Sequence, residues 1–144
     1  MVSMRLYDVG AKDKSVKWFY IAQLHHRVLF SITKEEDYSQ FGSPAFELYH
    51  ANNSFMKLAG VYINGYAFGQ PDKLVDTLEA VIKDYSTVPK FSHSYPDLKL
   101  NFGDNANGAR TEVLASLAGM VQYVKENKEY ILEQRKENGI EGKY

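Results

Sequence analysis

The residues with the clearest chemical potential lie between Asn101 and Arg110, in a segment rich in Gly, Asn and Asp that leads into the longest helical pattern of the chain. A helix start leaves its first N–H groups unpaired and carries a partial positive charge, so it favours a bound phosphate or carboxylate. Gly103 and Gly108 permit the close backbone approach that an anion requires. We therefore predict an anion-binding loop here, and a flexible connector that ends in an ordinary helix cap is the alternative.

The side chains of this segment suit a nucleotide-like ligand. Asn101, Asn105 and Asn107 can hydrogen-bond to a base or ribose edge, and Arg110 offers a planar fork to a phosphate. The segment is not a Walker A loop, because no Gly-Lys-Ser/Thr ends it, and its glycine spacing is not that of a Rossmann fingerprint. The composition indicates binding without matching an established nucleotide motif.

Two residues outside the segment are predicted to complete the site. The chain has only four arginines, and Arg27, beside a predicted strand start, can add a second positive group to the anion site, with a solvated turn as the alternative. Trp18, in a run of three aromatic residues, or a neighbouring Tyr can stack on a base, and packing of these aromatics in the core is the alternative. The full predicted ligand-binding set is Trp18, Arg27, Asn101, Gly103, Asn105, Asn107, Gly108 and Arg110.

Metal, cofactor and catalytic sites are not predicted. His25 and His26 are adjacent, and on a strand adjacent side chains point to opposite faces, so they cannot readily share a metal ion. The chain contains no cysteine and no Gly-x-Ser-x-Gly motif that would mark a nucleophile. Nothing in the sequence requires turnover, although an enzyme whose residues converge only in the fold is an alternative that the sequence leaves open.

Composition restricts the class of partner. Seventeen basic and eighteen acidic residues give a net charge of −1, which disfavours nucleic acid as a ligand and gives no general attraction to an anionic membrane. No apolar run approaches the roughly 18 residues that a membrane span needs. The absence of cysteine is consistent with a reducing compartment. We expect a cytoplasmic protein made of a single domain over residues 1–144.

The first two-thirds of the chain predicts short strands. Alternation of side-chain type occurs over residues 16–22, 28–33, 45–50 and 55–63, and Asn64-Gly65 is a strong hairpin signal. Asn52-Asn53 predicts a second turn. The predicted fold is α+β: an antiparallel, meandering sheet of five or six strands packed against two C-terminal helices.

Helical spacing predicts those two helices over residues 71–85 and about 109–136. Apolar residues of the second helix follow a heptad-like spacing at Leu114, Leu117, Val121, Val124 and Ile131. Two heptads are fewer than the three or four that a coiled coil requires. Packing on the sheet and a homo-oligomer formed through the C-terminal helix are both compatible with this spacing.

The predicted function is a non-catalytic binding protein that sequesters or senses a phosphorylated, nucleotide-like small molecule, as a homo-oligomer. The alternative is an inhibitor or immunity-type protein that blocks a macromolecular partner. Its contact surface would be the acidic segment with Glu35, Glu36, Asp37 and Tyr38, which favours a basic target.

Overall fold

The computed structural model describes residues 2–85, 87, 91–100 and 105–144, and the regular structure of this part of the chain is helical. The helices are α1 (Val2–Asp8), α2 (Lys12–Ser31), α3 (Glu35–Ser39), α4 (Pro44–Ala67), α5 (Pro71–Asp84), α6 (Phe91–Ser94), α7 (Asn105–Glu126) and α8 (Lys128–Glu137). The one β pairing among the described residues is an isolated antiparallel bridge between Thr33 and Leu100.

Helix α2 occupies the centre of the fold and contacts α1, α4, α5 and α7. Its buried positions include Val16, Tyr20, Leu24, Val28 and, at the C-cap, Ile32, which follow one another at four-residue intervals and therefore form one stripe along the helix. Phe19 and Leu29 are also buried and widen this stripe. A helix covered by several neighbours buries most of its circumference, so its pattern is less clearly amphipathic than that of a surface helix.

Helix α4 begins at a sequence with strong start signals. The Ser43 side chain accepts a hydrogen bond of 3.0 Å from the Phe46 backbone N–H, and Pro44 occupies the first helical turn. Most of its buried positions carry small residues rather than large apolar ones. Those positions are Ala45, Asn52, Ala59, Gly60, Ile63 and Ala67.

The predicted α+β fold with its meandering sheet is wrong. Residues 16–22 and 28–31 lie inside α2, and residues 45–50 and 55–63 lie inside α4. The alternation that suggested strands comes from aromatic side chains on several faces of these helices, whereas the four-residue spacing in α2 was the relevant signal. In α4 the buried positions carry mostly small residues, so the helical period was not visible. Helical periodicity is recognised in a sequence from the spacing of large apolar side chains.

Both predicted turns in this region are also wrong, because Asn52-Asn53 and Asn64-Gly65 lie in the interior of α4. Asn64 has a tertiary role there: its side-chain carbonyl oxygen accepts a hydrogen bond of 3.1 Å from the Tyr20 hydroxyl group on α2. Neighbouring helices therefore supply interactions that outweigh the local preference of these residues for turns.

The two C-terminal helical predictions fared better. The helix predicted over residues 71–85 is confirmed as α5, which has the clearest one-sided apolar pattern of the long helices. The helix predicted over residues 109–136 is present, but it begins earlier, at Asn105, and is divided at Asn127 into α7 and α8.

The heptad-like residues of α7 and α8 pack within this chain. Leu117, Val121, Val124 and Ile131 are buried in the same core as α2 and α5, and Leu114 packs against it. The large apolar side chains that α7 and α8 leave exposed, among the residues that the structure describes, are Tyr123, Tyr130 and Leu132. A homo-oligomer through the C-terminal helix stays a prediction, and these three side chains are the ones available for it.

Among the described helices, none has both the length and the apolar character that crossing a bilayer would require.

Two glycines provide a matched check on the helical assignment. Gly119 is exposed inside α7, whereas Gly10 has φ of +81° between α1 and α2, and an added Cβ meets no atom within 4 Å at either position. We expect Gly119→Ala to raise the free energy of unfolding by roughly 0.5–1 kcal/mol, because alanine favours the helix. We expect Gly10→Ala to lower it by about 1 kcal/mol, because the left-handed region disfavours a side chain. Urea denaturation measures both, and a destabilising Gly119→Ala would contradict the position of α7.

Candidate functional site

Two adjoining clefts lie along the interface of α2 and α4, and they share the side chains of His26, Asn52 and Met56. We call the two clefts together the α2–α4 groove. The side chains from α2 include Trp18, Ala22 and His26, which follow at four-residue intervals and therefore share one face. Those from α4 include Leu48, Asn52 and Met56, with the same spacing.

The first cleft is apolar and has a volume of about 240 Å³. Leu48, Phe55 and Met56 of α4 face Trp18 of α2 across it, and Val2 of α1 also lines it. The small Ala22 leaves the space between these larger side chains. Trp18 is 48 % exposed, which is high for a large aromatic residue, because its ring borders this opening.

The second cleft is more polar and has a volume of about 500 Å³, within the range of about 300–1,000 Å³ that is typical of small-molecule sites. One wall is aromatic: Tyr49 packs edge-to-face on Phe30 with ring centroids 5.0 Å apart, and it stacks on Tyr38 at 5.1 Å. The hydrogen-bonding and charged groups that line the rest of the cleft come from α2, α4 and α7. They are Gln23, Arg27, Ser31, Asn52, Asn53 and Glu112.

Asn52 stands at the junction of the two clefts. The residue is only 8 % exposed, and its side-chain amide makes no hydrogen bond to any residue that the structure describes. The Oδ1 and Nδ2 atoms of Asn52 are not closed off from solvent, so water in the clefts can hydrogen-bond to them. Because this amide lines both clefts, a ligand in the groove can supply the missing hydrogen bonds.

His26 lies beside Asn52 in both clefts and has a defined tautomer. Its Nδ1 atom is 2.8 Å from the backbone carbonyl oxygen of Ala22, which can only accept, so Nδ1 carries the proton. Nε2 of the neutral ring is then a hydrogen-bond acceptor. Burial lowers the pKa of His26 and so favours the neutral ring. The hydrogen bond to Ala22 raises the pKa, but its effect is the smaller of the two.

The structure brings together two of the predicted ligand-binding residues. Trp18 lines the first cleft and Arg27 lines the second, so both belong to the α2–α4 groove. Arg27 donates one long hydrogen bond of 3.4 Å to the Ser116 hydroxyl group and forms no salt bridge with a described residue. Its guanidinium group is therefore available to an anion in the second cleft.

The other predicted residues lie apart from the groove. Arg110 donates a hydrogen bond of 3.4 Å to the backbone carbonyl oxygen of Tyr85, at the C-terminal end of α5, where a cation is favoured by the helix dipole. Asn107 and Gly108 are exposed in the first turns of α7, and the backbone of Asn105 begins that helix. Asn101 and Gly103 lie outside the described residues. Residues 105–110 are therefore helical, where the sequence had suggested a loop.

Two acidic side chains of the alternative function's contact surface have partners within the chain. Asp37 forms a salt bridge of 3.6 Å with Lys99, and its side chain is only 14 % exposed. Glu36 is 3.8 Å from Lys34. Tyr38 of the same helix faces the second cleft. Glu36 stays 78 % exposed, so the alternative function stays a prediction.

Other site classes find less support in the described part of the chain. No three His, Asp or Glu side chains come together there in a way that would hold a metal ion. Comparisons with protein-family models, with curated proteins and with solved structures each gave no match.

Sequence reasoning missed His26 and Asn52 as groove residues. The available signal was the four-residue spacing of Trp18, Ala22 and His26, which becomes meaningful only if the segment is a helix. Nothing local marks Asn52, because its burial results from the packing of α4 against α2.

Replacement of Asn52 should reveal the energetic cost of its amide. We expect Asn52→Leu to raise the free energy of unfolding by about 1 kcal/mol, since an apolar side chain of similar size replaces a polar one at a position only 8 % exposed. Asn107→Leu, at an exposed position of α7, is the matched control and should change stability by less than about 0.5 kcal/mol. Chemical denaturation measures both variants, and destabilisation by Asn52→Leu would show that the amide is already satisfied.

The paired histidines predict a loss of stability in mild acid. Burial lowers the pKa of His25, with a smaller contribution from the charge of His26, and burial also lowers the pKa of His26 itself. Below the usual pKa of about 6.5, the unfolded chain takes up protons that the folded chain does not, so the free energy of unfolding falls as the pH falls. Urea midpoints at pH 7.5 and 5.5 measure this slope. It should be smaller in a His25→Gln, His26→Gln double variant, and an unchanged slope would assign the pH dependence to other groups.

Proposed function

We propose that this protein is a non-catalytic binding protein that sequesters or senses a small, phosphorylated, nucleotide-like molecule in the α2–α4 groove. The single observation that carries the proposal is the side-chain amide of Asn52, which lines both clefts on a largely buried residue and makes no hydrogen bond to a described residue. An amide neither titrates in the physiological range nor acts as a nucleophile. Its position therefore suits recognition of a ligand rather than a chemical reaction.

The distribution of polarity along the groove suggests how such a ligand would lie. A planar ring fits the apolar first cleft, beside Trp18, because aromatic rings stack on one another and exclude water. A phosphate fits the second cleft, where Arg27 supplies a charged fork and Asn53 supplies a further donor. Glu112 also lines that cleft, on α7, so phosphate is expected near the α2 wall.

The chain contains a built-in reporter for this proposal, because its single tryptophan is Trp18. We expect AMP, GMP, CMP or UMP to change the Trp18 fluorescence in a saturable way, with one site per chain by calorimetry. Ala51→Phe, which adds a ring to the lining of the first cleft, should abolish binding, whereas Ala118→Phe, at an exposed position of α7 outside the groove, should not. Absence of saturable binding for all four monophosphates, or binding that Ala51→Phe leaves unchanged, would refute the proposed site.

A pair of arginine variants distinguishes two candidate phosphate sites: the α2–α4 groove, and the segment between Asn101 and Arg110 that was predicted from the sequence. Arg27→Ala should weaken monophosphate binding about tenfold or more, because it removes a charge-assisted hydrogen bond. Arg110→Ala should leave the affinity unchanged, since its guanidinium group contacts the Tyr85 carbonyl oxygen. If Arg110→Ala weakened binding and Arg27→Ala did not, the phosphate would bind at the start of α7.

A further inference from the structure

The junction of the two clefts carries hydrogen-bonding groups of complementary kind. Asn52 offers two N–H donors and a carbonyl acceptor from one side chain. His26 offers an acceptor at Nε2, because the proton of the neutral ring is on Nδ1, which donates it to the Ala22 carbonyl oxygen. Both side chains line both clefts, and they come from different helices, so they border the space where the apolar and polar halves of the groove meet.

We infer that this junction reads the edge of a neutral heteroaromatic ring that carries a hydrogen-bond donor beside an acceptor, as the edge of a nucleobase does. The inference rests on the proposed function and specifies the chemical class of the ligand. The ligand donor would donate to Nε2 of His26, and the adjacent ligand acceptor would accept from the Asn52 side-chain N–H. Asparagine amides also hydrogen-bond to base edges in nucleic-acid recognition.

The surroundings of the junction favour a flat, uncharged ring over other hydrogen-bonding groups. Phe55 and Met56 border the first cleft on the α4 side, and Trp18 borders it on the α2 side, so the ring faces meet apolar atoms. A charged group there would lose its hydration without meeting an opposite charge, since Arg27 and Glu112 line only the second cleft. Burial keeps His26 neutral, which preserves its acceptor.

The junction should discriminate against ligands that leave its polar groups without hydrogen-bond partners. A ring that lacks the edge donor leaves Nε2 of His26 buried and unpaired, and sites of this kind reject such analogues strongly. The pairs to compare are AMP with N6,N6-dimethyl-AMP, GMP with 1-methyl-GMP, and UMP with 3-methyl-UMP. Each pair keeps the ring and the phosphate and removes a donor from the base edge.

Titration of Trp18 fluorescence with these pairs tests the inference. We expect the unmethylated member of at least one pair to bind about tenfold tighter or more. Asn52→Leu and His26→Phe should each reduce that ratio towards one, and His50→Phe, at an exposed position of α4 outside the groove, should preserve it. Asn52→Leu is expected to fold, because it is predicted to be the more stable protein.

The outcomes separate this inference from the function on which it rests. If methylated and unmethylated members bind with equal affinity and Ala51→Phe abolishes both, the groove is a binding site that does not read the base edge, and the inference fails alone. If discrimination exists but survives both Asn52→Leu and His26→Phe, other residues read the ring and the inference fails. If no monophosphate binds, the inference and the proposed ligand class fail together.

Discussion

Burial of α2 is the constraint on which the rest of this structure depends. The helix contacts α1, α4, α5 and α7, and the fully buried Phe19, Leu24 and Leu29 come from its interior positions. Hydrophobic burial is the main favourable term in folding, so the neighbouring helices are arranged to cover this one. The same contacts determine the candidate site, because the α2 face towards α4 is incompletely filled. Core and groove are thus two sides of a single helix.

The incomplete packing between α2 and α4 has an identifiable cause in side-chain size. Ala22 on α2 and Ala51 on α4 are small, whereas Trp18, Phe55 and Met56 stand around them, so a cleft forms between the helices. A core selected for stability alone would fill this space with larger apolar side chains. The groove instead retains an amide and an imidazole at its centre. Stability sacrificed at such positions is a common feature of binding sites, where polar groups await a ligand.

The two-part polarity of the groove gives the proposed ligand an orientation. An apolar cleft beside Trp18 and a polar cleft beside Arg27 meet at His26 and Asn52, so a molecule that spans both must be amphipathic. The arginine that the structure places there differs from the one that the anion-binding prediction relied on. Arg110 instead contacts the end of α5, which illustrates that a guanidinium group near a helix terminus often has a structural partner.

The local sequence pattern was sufficient to predict α5, because its single apolar face and the proline at its start can both be recognised within a dozen residues. The start signals of α4 and the four-residue spacing in α2 were also present in the sequence. Alternation among aromatic residues nevertheless predicted strands there, and the dipeptides Asn52-Asn53 and Asn64-Gly65 predicted turns. Trp18 and Arg27 were identifiable as ligand-binding candidates from residue chemistry. Their placement in one groove, and the burial of Asn52, depend on packing between helices that are distant along the chain, and single-sequence periodicity carries no information about such contacts.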